Sequence, residues 1–111
     1  MDWYVGPDSS PLSGSADRSV EAWVWNPAVP AEETIVAWGR RGGPDASNWS
    51  MLYGNHGTWG ALGGWGGAAD MPFVAGASEA PSINEWHHLV LTYNGQTNER
   101  AIYVDGTLSN R

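Results

Sequence analysis

Apolar and polar positions along this chain alternate with a period of two, the spacing of a half-buried strand rather than a helix. In SVEAWVWN (Ser19–Asn26), Val20, Ala22 and Val24 share one face, and Glu21, Trp23 and Trp25 share the other. That strand stops at Asn26-Pro27, where a proline-broken loop, PAVPAEE, begins. TIVAWGR (Thr34–Arg40) predicts a second strand, and WSMLYG (Trp49–Gly54) a third, across the turn-rich RGGPDASN. GNHG (Gly54–Gly57) reads as a tight turn that leads into a returning strand, TWGAL (Thr58–Leu62). GGWGGAADMP is irregular, with a short strand placed near Trp65. NEWHHLVLTYNG predicts a strand over about Trp86–Tyr93. RAIYVDGTLS predicts two strands joined by an Asp105-Gly106 turn. No segment combines a 3.6-residue period with helix caps, and no internal repeat occurs.

The chain has 111 residues, enough for one domain. Fifteen glycines and seven prolines suit a turn-rich all-β domain better than a helical bundle. Eight tryptophans against one phenylalanine make indole the main aromatic volume. The formal net charge of −7, with five basic residues, argues against a nucleic-acid backbone or an anionic membrane surface as partner. Neutral ligands, cations and basic proteins remain. With no cysteine there is neither a disulfide framework nor a thiolate metal site. No apolar run approaches a membrane span, and no signal peptide follows Met1.

SVEAWVWNP, TIVAWGR, NEWHHLVLTYNG and RAIYVDGTL occur in that order over nearly the whole chain. The set resembles the laminin-G-like, concanavalin-A-like lectin/glucanase jelly roll, most specifically in EWHHLVLTY followed by IYVDG. The resemblance implies an all-β fold, an antiparallel jelly-roll β-sandwich, as one laminin-G-like domain over residues 1–111. Family members continue past the aspartate-glycine hairpin with further strands. The expectation is therefore a sandwich incomplete at both ends, with open sheet edges available for self-association.

Catalysis on this fold uses paired carboxylates. The alternating acidic strand of the related glucanases is absent: Glu32 and Glu33 share a loop, Glu79 and Glu85 flank another, and Glu21 stands alone on its strand. No serine–histidine–aspartate spacing with a nucleophile elbow is evident. The domain is expected not to be an enzyme. Neighbouring strand residues point to opposite faces, so His87 and His88 do not share an ion: one faces the core and the other faces out. The resemblance makes calcium a candidate cofactor. Asp45, Asn48, Asp70 and Asp105 lie in or next to loops, although Asp105 already serves as a turn residue. Asn48-Trp49-Ser50 matches an N-glycosylation acceptor.

Half of the fourteen residues Gly54–Gly67 are glycine, and two are tryptophan. Indoles with clearance around them suit the apolar C–H faces of sugars, and nearby amide and imidazole groups suit their hydroxyls. The expected ligand-binding residues are Trp49, Tyr53, Asn55, His56, Trp59 and Trp65, with Trp23, Trp38 and Trp86 assigned to core or sheet packing. The function so read is a non-catalytic carbohydrate-binding or adhesion module of a larger secreted or surface protein, its partner a glycan or a surface protein. The alternatives are a structural subunit of an extracellular assembly completed by strand exchange, and an accessory domain of a glycoside hydrolase.

Overall fold

The computed structural model describes residues 4–6, 15–28, 33–39, 48–53, 62–63, 70–73 and 80–111. Among the described residues every regular element is a strand: β1 (Arg18–Trp25), β2 (Thr34–Gly39), β3 (Asn48–Leu52), β4 (Leu62–Gly63), β5 (Trp86–Asn94), β6 (Glu99–Val104) and β7 (Thr107–Asn110). They form two antiparallel sheets, one ordered β1-β5-β6-β7 and the other β2-β3-β4.

Period-two alternation decides which face of the larger sheet is inward. Val20, Ala22 and Val24 of β1 pack against Leu89 and Leu91 of β5, Ile102 of β6 and, from the smaller sheet, Trp49 and Met51. Tyr53, Met71 and Phe73 complete this core, and the Tyr53 and Phe73 rings meet edge to face at 6.2 Å. β3 is the central strand of its sheet, and Trp49 through Leu52 are buried on both faces. In β2 the alternation slips. A bulge between Thr34 and Val36 sets two residues against one, so Ile35 and Val36 both reach the core. Trp38 packs there as expected, its ring 4.2 Å from that of Trp49.

β6 and β7 are joined by the two-residue turn Asp105-Gly106, with φ of 51° and 79°. Positive φ at both positions defines the hairpin turn whose twist matches the strands. β7 is tied back to the 70–73 segment by the Asn110 amide, which donates to the Pro72 carbonyl at 2.8 Å.

Candidate ligand-binding site

The outward face of the larger sheet is unusually aromatic. Residues directly opposite on neighbouring strands, and residues two apart on one strand, share a face. Trp25 lies opposite Trp86, and Trp23 opposite His88. The next rung runs Glu21, Val90, Tyr103 and Leu108 across all four strands. Trp23, Trp25 and Trp86 are 67%, 46% and 64% exposed. This corrects the packing role expected for Trp23 and Trp86. Strand parity opposes both to the inward set, Trp23 to Val20, Ala22 and Val24 on β1, and Trp86 to Leu89 and Leu91 on β5. The inward positions Val20, Ala22 and Val24 of β1 and Leu89 and Leu91 of β5 are aliphatic.

Polar groups are fixed within this face. The imidazole of His88 stacks on Trp23 with ring centroids 5.0 Å apart, and its Nε2 lies 3.0 Å from the Glu21 carboxylate. The aromatic end of the sheet also carries the β6–β7 turn and the loop leading into β5. Asn84 donates its backbone N–H to the Asn26 carbonyl at 2.8 Å, and the Asn26 side chain reaches the Glu33 carboxylate. These bonds anchor the ends of β1 and β5, and with them Trp25 and Trp86.

Behind that face, buried His87 links the loop to the turn. Its Nδ1 lies 2.7 Å from Asp105 Oδ2, and its Nε2 lies 3.0 Å from the Ser82 hydroxyl. A carboxylate only accepts, so Nδ1 carries the hydrogen. The other Asp105 oxygen accepts from the His88 backbone N–H at 2.9 Å. Asp105 is consequently held below its ordinary pKa, first by the His87 side chain and then by the His88 amide. The serine–histidine–aspartate connectivity was not visible in sequence, because Ser82 and Asp105 flank the histidine at unrelated spacings. The Ser82 hydroxyl donates to the Glu85 carboxylate. The arrangement acts as a clamp between loop, strand and turn.

Tyr53 closes the same end from inside. Its hydroxyl donates to the Pro81 carbonyl at 3.1 Å and also to that of Ser82. Its pKa is raised, chiefly by burial and then by the Glu85, Asp105 and Glu33 carboxylates.

Of the residues read as ligand contacts, Trp49 and Tyr53 are core members, 8% and 1% exposed. A ring so enclosed presents no face to a sugar, so these two support the sheet. Asn55, His56, Trp59 and Trp65 lie outside the described residues. His87 faces in and His88 out, as alternation requires. Of the calcium candidates, Asp45 and the Asn48 side chain lie outside the described residues, and Asp105 is engaged by the two histidines. Among the described residues no three histidine, aspartate or glutamate side chains converge as metal ligands.

Two antiparallel sheets face to face over one apolar core, with no helix among the described residues, define a β-sandwich. The family model of laminin-G-like domains described as the concanavalin A-like lectin/glucanases superfamily matches residues 2–111, and the chain belongs to this family. Neither the curated proteins nor the solved structures contain a match to the chain.

Proposed function

We propose that this domain is a non-catalytic carbohydrate-recognition or adhesion module that works outside the cell as part of a larger secreted or surface protein. The observation that carries the reading is the set of three exposed indoles, Trp23, Trp25 and Trp86, side by side on one sheet face. Exposing that much aromatic surface is costly in water, and a ligand with apolar faces recovers it. Asn55, His56, Trp59 and Trp65, in the glycine-rich stretch Gly54–Gly67, are further proposed contacts. Family membership supports a lectin-type domain, but fold alone does not fix function. The test is a glycan array and depletion from solution by polysaccharides, each with and without calcium. Binding to a defined subset of glycans supports the module, and a uniformly blank result in both refutes it.

A second reading rests on β1, an eight-residue strand paired on one side only among the described residues. Such an edge is a template for strand addition, and the domain would then be an assembly subunit. Light scattering on a size-exclusion column decides: a concentration-independent monomer removes this reading, and a defined multimer favours it.

A further inference from the structure

We infer that the indole face of β1 and β5 is the glycan platform itself, and that its ligand class is glycans without acid groups, that is, neutral or amino-sugar polymers. The inference rests on the module reading above and adds to it a location and a chemistry.

The location follows from the sheet. Trp23 and Trp25 are two residues apart on β1, about 7 Å along the strand. Trp86 sits across from Trp25 at about 5 Å. Three large planar groups thus share one open surface, with their backbones held in regular sheet pairing rather than in a loop. A pyranose presents an apolar C–H face to such rings. The hydroxyls around its edge need acceptors and donors nearby. Glu21 provides carboxylate oxygens, and the His88 ring, fixed between Glu21 and Trp23, provides nitrogen.

The ligand class follows from charge. Three carboxylates lie on or near this part of the sheet: Glu21 on the face beside His88, and Glu85 and Asp105 around His87 behind it. Their side chains are half or more exposed. The described arginines lie toward the opposite end of the sheet. Arg18 begins β1 and stacks on Tyr93, Arg100 pairs with Tyr93, and Arg111 follows β7. At physiological salt, charges within about 8 Å of one another are poorly screened. A uronate or sulfate on these indoles would meet nearby negative charge and no arginine among the described residues at that end. A neutral sugar meets no such penalty, and an amino sugar gains attraction.

The experiment is depletion of the whole chain by insoluble cellulose, xylan, chitin, chitosan, polygalacturonate and heparin-agarose at low and physiological salt. It is run on wild type, Trp23→Ala, Trp86→Ala, the double variant and Trp59→Ala. Both β1 and β5 indoles are largely exposed, so their removal leaves the fold intact, and near-ultraviolet circular dichroism checks this. The expected result is binding to one or more non-acidic polymers, weakened about tenfold or more in the double variant, with the acidic polymers inert. Preference for polygalacturonate or heparin overturns the ligand class. Binding unchanged in the double variant but lost in Trp59→Ala overturns the location and moves the contact to the Gly54–Gly67 stretch, with the module reading intact. Retention by no polymer, together with a blank glycan array, overturns the inference along with the module reading beneath it.

Discussion

Replacing Asp105 by asparagine isolates what one negative charge does for this fold. Asp105 stands at φ 51° in the β6–β7 turn, and its carboxylate accepts from both the His87 ring and the His88 backbone. Asparagine tolerates the left-handed conformation and keeps one carbonyl oxygen, so the turn and one bond persist. The charge-assisted bond to His87 is lost. Hydrogen bonds to charged groups contribute about 1.5–3 kcal/mol. Half of this side chain faces water, and solvent screening reduces the figure to about 1 kcal/mol. Asp105→Ala removes both bonds and adds left-handed strain, for a total of about 3 kcal/mol. The charge also sets a pH signature. The pKa of Asp105 is depressed below 3.8 in the folded state. Its contribution is therefore complete above the unfolded value and is lost as pH falls through the folded one. Urea unfolding followed by tryptophan fluorescence at pH 7, 5, 4 and 3 reads this directly. The gap between wild type and Asp105→Asn should persist at pH 5 and close below pH 3.8. A gap under about 0.3 kcal/mol at pH 7, or one undiminished at pH 3, would refute the reasoning.

Three further outcomes separate core from surface at the aromatic positions and test the turn. Trp49→Ala should cost about 3–5 kcal/mol in urea unfolding, as a large buried ring does, whereas Trp23→Ala should cost under about 1 kcal/mol; equal losses would contradict the placement of the two rings. Tyr53→Phe deletes the bonds to Pro81 and Ser82 and should cost about 1–2 kcal/mol. Because the pKa of Tyr53 is raised from 10.0, its contribution is complete below pH 10.0 and is lost as pH rises through the folded value. Ultraviolet titration should accordingly show one late-ionising tyrosine that the variant lacks. Gly106→Ala places a side chain at φ 79° and should lower stability by about 1 kcal/mol, a fall in Tm of about 4 °C by calorimetry.

The strands were legible because their signal is local. Alternation located β1, β5, β6 and the Asp105-Gly106 turn, and the parity of Leu89 and Leu91 sends His87 inward and His88 outward. The aromatic assignments went astray for a reason visible in the same stretch. Ring size suggested that Trp23 and Trp86 are interior, while parity already opposed Trp23 to the inward valines. Conversely, Trp49 and Tyr53 stand close in sequence to the glycine-rich stretch Gly54–Gly67, which made them look like ligand contacts. β3 is the central strand of its sheet, and its burial depends also on β1, β5 and β6, strands far away in the chain. The Asp105–His87–Ser82 clamp depends on partners 18 and 5 residues apart, a spacing that no local pattern encodes.

The pairing of β1 with β5 also shapes how the molecule comes into being. Trp25 meets Trp86 and Arg18 meets Tyr93, so partners are 61 to 75 positions apart in the chain. At ribosomal speeds of roughly 5–20 residues per second, β1 waits several seconds for its neighbour to emerge. Throughout that interval its two tryptophans and its backbone edge have no native partner. The domain therefore cannot mature progressively from its amino terminus. β1 joins its sheet only after β5 has emerged, and the nascent chain depends until then on whatever keeps unpaired aromatic strands apart.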